Sequence, residues 1–254
     1  MNAREVLERL QRGEIDISRA EQLLKLDFLE RIGEHAVFDH GREARRGIPE
    51  IVFGESKTPE VAAEIVSKAI SDRDIMLVSR ASPAHVKAIS KAVDPSWVRY
   101  EERARMVVVD KRPGRESKGL IGILTAGSSD IGVAEEAKVV AEAMGCRVMV
   151  SYDVGVAALH RLMDPLIKML EAGVDCLIVV AGMEGALPTV ISGLSDVPVI
   201  GVPTSVGYGY GGKGEGALMG MLQTCSPGLV VVNIDNGVAA GATAALISLR
   251  SRRG

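Results

Sequence analysis

Five short apolar runs punctuate the second half of the chain, at residues 120–125, 147–151, 176–181, 199–202 and 229–232. They are continuous and β-branched rather than alternating, the pattern of strands buried on both faces. Between them apolar residues recur every three or four positions, as in Val133, Ala137, Val140 and Met144, which marks one face of a helix. Strand and helix in alternation predict an α/β fold with a parallel, doubly wound sheet and right-handed crossovers. Ligands in such a sheet sit beyond the carboxyl ends of the strands, so the loops leaving those ends are where chemistry is expected.

The first half is patterned differently. Two helices are expected at its start, the second introduced by Ser18-Arg-Ala-Glu21, a capping-box sequence, and running to about Ile32. Short strands near Val37 and at residues 51–53 follow. Thr58-Pro59 then supplies an N-cap and a proline at N1 for a helix with Ala62, Ile65, Val66 and Ala69 on one face. A strand at 75–79, a helix started by Pro83 and a strand around 107–110 complete a small α/β module. His35, His40 and His85 have no metal-ligand spacing and read as surface or internally satisfied groups. Arg42 to Arg46 reads as a solvated face, with contact to a substrate anion as the alternative.

Glycine and charge separate the halves. Residues 1–116 contain six of the 28 glycines, but 21 of the 30 Lys and Arg and 21 of the 33 Asp and Glu. Two domains are expected, 1–117 and 118–254, with the seam in the polar stretch Arg112-Pro-Gly-Arg-Glu-Ser-Lys118. A hydrophobic content of 47% with a net charge of −3 excludes a disordered chain. The mean hydropathy of +0.18 does not predict a membrane span, because the longest apolar runs are strand-sized and a span needs ~20 residues. The start, Met-Asn-Ala-Arg-Glu, lacks an apolar signal core, and three cysteines suit a reducing compartment, so a cytoplasmic location is expected. Near-neutral charge and eight aromatic residues offer neither a basic footprint nor a stacking platform for nucleic acid.

Five loops carry candidate chemistry. Thr125-Ala-Gly-Ser-Ser-Asp-Ile-Gly132 turns from a strand into a helix, where Gly127, Ser128, Ser129 and Asp130 could receive a phosphate or a ribose, or merely cap the helix. This loop is neither a Walker A motif nor GxGxxG. Ser151-Tyr-Asp-Val-Gly155 places Tyr152 and Asp153 at the next carboxyl end, with His160 in the helix beyond reading as structural. Glu184, between glycines in Ala181-Gly-Met-Glu-Gly-Ala-Leu-Pro188, is a carboxylate that packing does not explain, with a charge favoured by the dipole at a helix start as the alternative. Val206-Gly-Tyr-Gly-Tyr-Gly-Gly-Lys-Gly-Glu-Gly-Ala217 is so glycine-dense that it reads as a mobile, anion-wrapping loop, with Gly211, Gly212 and Lys213 at its centre and a flexible linker as the alternative. Cys225, in the turn Gln223-Thr-Cys-Ser-Pro-Gly228, could be a nucleophile, whereas Cys146 and Cys176 begin strands and read as core residues.

Gly127-Ser-Ser-Asp130, Ala-Gly with Leu-Pro, Pro-Val-Ile-Gly-Val-Pro and a final Asn-Gly ahead of an alanine-rich helix together resemble the carboxylase/mutase of purine synthesis that acts on phosphoribosyl-aminoimidazole. The resemblance spans residues 119–248 and implies a flavodoxin-like sheet. That family has a catalytic histidine just before Leu-Pro, where this chain has Ala186, and its Gly-Ser-x-Ser-Asp signature is altered here. The whole chain is more similar to LarB, a carboxylase/hydrolase that carries such a domain behind an N-terminal module. Ser151-Tyr-Asp-Val-Gly155, Gly182-Met-Glu-Gly-Ala-Leu-Pro188, Gly-Tyr-Gly-Tyr-Gly-Gly-Lys and Cys225 carry that likeness. It implies nicotinic acid adenine dinucleotide as substrate, carboxylated at pyridinium C5 and cut at its phosphoanhydride to give AMP and pyridinium-3,5-biscarboxylate mononucleotide for a nickel-pincer cofactor. It further implies Cys225 as the adding thiolate, Glu184 or Asp153 as base, and CO2 or bicarbonate as co-substrate. No organic cofactor is expected, a carboxylate-bound Mg2+ is left open for the hydrolysis, and the related families form octamers. The alternatives are a phosphoribosyl-aminoimidazole carboxylase/mutase and a non-catalytic nucleotide-binding protein.

Overall fold

The structure, a computed structural model, describes residues 3–26, 29–32, 36–39, 47–71, 73–112, 114 and 117–252. Helix α1 (Ala3–Gln11) is followed by α2 (Ile17–Leu26). Asp16, not Ser18, caps α2: its Oδ1 accepts the Arg19 N–H at 2.7 Å, which satisfies a free donor and places a negative charge at the helix start. The helix also stops before Ile32, because those residues enter a hairpin in which β1 (Leu29–Ile32) pairs antiparallel with β2 (Ala36–Asp39). His35, His40 and Arg42 to Arg46 lie outside the described residues.

The module continues as β3 (Ile51–Phe53), α3 (Pro59–Ala69), β4 (Ile75–Ser79), α4 (Pro83–Ala92), β5 (Val98–Glu101) and β6 (Met106–Asp110). Thr58 caps α3 by accepting the Val61 N–H at 3.3 Å, with Pro59 at N1. His85 is a structural histidine: Nδ1 faces the Ser82 amide and hydroxyl and Nε2 faces the Lys57 carbonyl, which fastens the start of α4. The sheet runs β3-β4-β6-β5, with β3 parallel to β4 and the rest antiparallel. The sequence pattern misses β5, whose half-exposed Val-Arg-Tyr-Glu at the sheet edge carries little hydrophobic signal.

Beyond it come β7 (Gly119–Thr125), α5 (Ile131–Ala143), β8 (Cys146–Ser151), α6 (His160–Glu171), β9 (Cys176–Ala181), α7 (Ala186–Leu194), β10 (Val199–Pro203), α8 (Glu215–Leu222), β11 (Leu229–Val231) and α9 (Gly237–Ser251). All pairings are parallel, in the order β11-β10-β9-β7-β8, which is the flavodoxin-like arrangement. β7, β9 and β10 are buried throughout; β8 and β11 are half-exposed edge strands, where burial on both faces had been expected. The chain reverses its direction of growth between β7 and β9, and the crevice at their carboxyl ends is where such sheets bind ligands.

The two halves share a helix layer. One face of the parallel sheet packs Leu120, Leu124, Leu177 and Val179 against Leu162, Leu166, Leu187, Ile191 and Met221 of α6, α7 and α8. The other packs Ile121, Ile123, Ile178 and Val180 against Ala134, Ala137, Ala240 and Ala244 of α5 and α9. α5 and α9 approach closely because position 241 has no side chain: a Cβ there would meet the Ala137 carbonyl oxygen at 2.3 Å. Their outer surface, Val139, Val140, Ala143 and Ala242, meets Ile75, Leu77, Met106 and Val108 of the N-terminal sheet. The opposite residues of the same strands, Met76, Val78, Val107 and Val109, face Ile65, Val66 and Ile89 of α3 and α4. Period-two alternation inside fully buried strands thus builds five layers, α/β/α/β/α.

Candidate active site at the carboxyl edge

Among the described residues, six non-glycine positions have positive φ: Arg80, Arg105, Asp153, Met183, Lys213 and Asp235. Asp153, Met183, Lys213 and Asp235 follow β8, β9, β10 and β11 respectively, so each of these strands ends in a strained loop at the same edge. A left-handed L-residue costs of order 1–2 kcal/mol and persists only where its surroundings over-determine it, which commonly happens at functional sites.

Asp130 is the hub of this edge. Read from the sequence as a ligand contact or a helix cap, it is buried, at 3% exposure. Oδ1 accepts the Thr204 hydroxyl at 2.7 Å and Oδ2 accepts the Gly127 N–H at 2.9 Å, so the carboxylate ties the β7 loop to the β10 loop. Burial raises its pKa against the pull of these bonds. Ser128 and Ser129 beside it are exposed. Tyr152 also differs from expectation, because its hydroxyl donates to Glu135 of α5 rather than being presented at the edge. Burial, then that bond, push the phenol above its ordinary range. Asp153 is exposed; its N–H donates to Thr125 Oγ1 at 3.0 Å and its carboxylate pairs with Arg161 at 2.6 Å.

Glu184 sits beside the crevice between β7 and β9. Met183 donates its N–H to the Val206 carbonyl at 2.8 Å, and Gly185, the cap of α7, donates to the Gly182 carbonyl at 2.9 Å. A Cβ at position 182 would meet the Val206 carbonyl oxygen at 2.3 Å, so the β9 and β10 loops touch only because residue 182 is glycine. The Glu184 carboxylate itself is exposed and has no hydrogen-bond or ion-pair partner among the described residues. The glycine-dense loop forms successive turns, with Gly212 N–H to the Gly209 carbonyl at 3.2 Å and Gly216 N–H to the Gly211 carbonyl at 2.9 Å. Lys213, Tyr208 and Tyr210 are exposed on it.

Sequence reasoning missed the last loop of this edge. Asp235 donates its N–H to the Pro203 carbonyl at 2.9 Å and accepts the Ser205 N–H at 2.8 Å, joining the β11 and β10 loops. Asn236 then caps α9 by accepting the Ala239 N–H at 2.9 Å. The polar string Asn233-Ile-Asp-Asn236, directly after the final apolar run, is the signal that could have marked it.

Cys225 lies elsewhere. It sits between α8 and β11, at the amino ends of the strands, where Ser226 Oγ–H donates to Ser192 Oγ at 3.2 Å and Ser192 to the Pro227 carbonyl at 3.1 Å. Ser192 is near the end of α7, whose nine residues, about 13 Å of helix, begin just after Glu184. One chain therefore gathers Glu184, Asp153, Ser128, Ser129 and Lys213 on one edge and leaves Cys225 on the other. Cys225 is exposed, whereas Cys146 and Cys176 are buried. Burial pushes both buried thiols up, Cys176 to about 12. Among the described residues no group of three His, Cys, Asp or Glu is arranged to hold a metal ion, and no helix is long and apolar enough to cross a membrane.

A parallel α/β sheet with hydroxyl, acid and glycine loops at its carboxyl edge, and a second α/β module packed on its helices, defines the class of protein. The chain belongs to the AIR carboxylase family, whose model matches residues 120–253; residues 29–111 match a LarB/PurE-like N-terminal domain. It is 41% identical to an uncharacterized protein of Methanocaldococcus jannaschii over 97% of each chain. It is also 32% identical to the N5-carboxyaminoimidazole ribonucleotide mutase of Pyrococcus horikoshii, over 54% of this chain and 73% of that one. A probable N5-carboxyaminoimidazole ribonucleotide mutase of Methanothermobacter thermautotrophicus is 34% identical over 51% of this chain and 38% of its own length. The two-domain order is LarB-like, and the family is of the carboxylase type.

Proposed function

We propose that this carboxylase-family chain acts on nicotinic acid adenine dinucleotide, carboxylating the pyridinium ring and releasing AMP. The observation that carries this reading is that the chain has both an exposed carboxylate, Glu184, without a hydrogen-bond or ion-pair partner among the described residues, on a strained turn at the ligand edge, and an exposed cysteine, Cys225, while its other cysteines are buried. Ala186 stands where the purine-synthesis enzymes carry a histidine, which argues against an aminoimidazole substrate.

The steps balance on these groups. The Cys225 thiolate forms a C–S bond at pyridinium C6, and the ring electrons neutralise the nitrogen to leave an enamine. C5 of the enamine attacks CO2 and forms the C–C bond. Glu184 takes the C5 proton, the electron pair re-forms the aromatic ring and the C–S bond breaks to return thiolate. Asp153, released from its exposed pair with Arg161, is the second candidate base. Water then cleaves the phosphoanhydride, with Lys213 and the glycine-dense loop around Gly211 and Gly212 holding the diphosphate and Ser128 and Ser129 binding nearby.

Because Cys225 and Glu184 lie on opposite edges of one chain, the reaction needs a second copy to supply the thiol. Both edges carry exposed apolar residues suited to such a contact: Met183, Val206 and Tyr208 at the carboxyl edge, and Leu194, Leu222 and Val230 on the elements beside Cys225. The chemistry is tested by mass spectrometry after incubation with the dinucleotide and carbon-labelled bicarbonate. The expected products are unlabelled AMP and a pyridine mononucleotide heavier by one labelled carboxylate. AMP without labelled pyridine product, or no turnover of the dinucleotide, would overturn the assignment.

A further inference from the structure

The N-terminal module reaches the Asp235 turn of the carboxyl edge through a strained residue, Arg80. Arg80, at the end of β4, holds φ +50 between a Ser79 carbonyl that accepts the Gly54 N–H at 2.8 Å and an Ala81 N–H that donates to the Arg105 carbonyl. Glycine would take that conformation more cheaply, so an arginine in that place points to a use for the side chain. The guanidinium leaves its own module. It donates to the Asp235 carbonyl at 3.3 Å, pairs with Glu55 at 3.1 Å and lies over the Phe53 ring at 5.6 Å. Asp235 in turn accepts the Ser205 N–H, where the glycine-dense loop leaves β10.

Resting on the reading of that loop as the substrate's diphosphate cradle, we infer that Arg80 is a positioning residue: through the Asp235 turn it fixes the root of the loop, so the N-terminal module sets the geometry of a site it does not line. Its charge suits the task. Glu136 of α5 is buried at 6% exposure and accepts the Val238 N–H at 3.3 Å at the start of α9. Burial pushes Glu136 up to about 7; Arg80 pulls it down, and Asp235 adds to the rise. Arg80 is thus the cation facing acids from three places: Glu55 after β3, Glu136 on α5 and Asp235 after β11. Its fork can hold Glu55 and the Asp235 carbonyl together, which a lysine's single ammonium does less well.

The test compares wild type, Arg80→Met, Arg80→Lys, Glu55→Gln and the Arg80→Met/Glu136→Gln pair by amide exchange and by steady-state kinetics across pH. Arg80→Met should speed exchange of Ser205 and of residues 235–238 about tenfold, with Arg80→Lys between it and wild type. KM for the dinucleotide should rise several-fold more than kcat falls, and the acid limb of the profile should move to higher pH as Glu136 loses its cation. Glu136→Gln should remove that pH shift in the Met background. Glu55→Gln, which keeps the cation but frees one side of it, is the variant that decides if Arg80→Met does not fold; faster exchange at 205 and 235–238 is expected there too. Faster exchange confined to residues 51–57, or equal losses in kcat and stability with an unmoved pH profile, would overturn the inference. Failure of wild type to turn over the dinucleotide would overturn the proposed substrate, while the exchange result would still decide the role of Arg80.

Discussion

The two edges of the parallel sheet are built to different standards. At the carboxyl edge, four strained residues, the buried Asp130 and the interlocked turns at 182, 204 and 235 tie the loops of β7, β9, β10 and β11 to one another. At the amino edge the turn at Cys225 has no residue at positive φ before Gly228; Thr224 accepts the Ser226 N–H, Ser226 and Ser192 link to the Pro227 carbonyl, and the Gly228 carbonyl accepts the Val199 N–H, with Cys225 exposed between them. Rigid, strained loops are what a base and a phosphate cradle need, since their geometry must be fixed before substrate arrives. A thiol that adds and leaves needs access more than fixation. On the proposed reaction, the contrast would leave one chain with the binding edge and have Cys225 presented outward to a neighbour.

Removing the nucleophile should give the largest effect. Cys225→Ser is expected to lower carboxylation about a thousandfold or more with an unchanged thermal midpoint, because a serine hydroxyl is a far weaker adding and leaving group. Near-normal turnover would dissolve the contrast, leaving the amino edge without chemistry. Glu184→Gln should cost roughly a hundredfold or more in kcat, the scale of a general base, while dinucleotide binding measured by calorimetry stays close to wild type. If Asp153→Asn shows that loss instead, the base lies after β8.

Stability sharpens the same comparison. Glu136 is raised to about 7 in the fold, so the folded state holds a proton that the unfolded chain has released between about pH 4.5 and 7. That stabilisation is present below the unfolded value and lost as pH rises through about 7, on the order of 3–4 kcal/mol for the whole shift. Glu136→Gln should therefore melt higher than wild type at pH 8, the advantage shrinking toward pH 5; a difference independent of pH would contradict the buried acid. Cys176→Ser, in the core, should cost about 1–2 kcal/mol in urea unfolding without altering kcat, the reverse of Cys225→Ser. Lys213→Ala should have the smallest effect, raising the dinucleotide Kd about threefold to tenfold.

Much of this was legible in the sequence, for physical reasons. Parallel strands announce themselves as unbroken apolar runs, the buried β7, β9 and β10 as well as the half-exposed β8 and β11, so the five strands, their order of connection and the ligand edge could be read from residues 120–232. Caps with fixed chemistry, such as Thr58-Pro59, placed helices to the residue, while the competing cap at Asp16 showed that two adjacent candidates are decided by which side chain reaches the N3 amide. Glu184 and Lys213 were visible because glycine neighbours leave a charge without a packing role. Asp130 and Tyr152 were visible as polar residues but not in their roles, since burial and the partners Thr204 and Glu135 come from distant segments. Arg80 was invisible, since nothing local distinguishes an arginine that crosses between modules from one in solvent, and Asp235 was marked only by the polar string that follows the last apolar run. The separation of Cys225 from Glu184 could have been read from topology, since a turn between helix and strand lies at the amino ends.

The central claim, that the thiol and the base come from different copies, is tested by mixing two inactive variants. Cys225→Ser and Glu184→Gln chains, co-refolded in equal amounts, should regain about a quarter of wild-type carboxylation, because random pairing restores an intact thiol and an intact base in that share of shared sites. Activity in the mixture no greater than in either variant alone, with mixed oligomers verified by native mass spectrometry, would contradict it and require Cys225 and Glu184 to act within one chain.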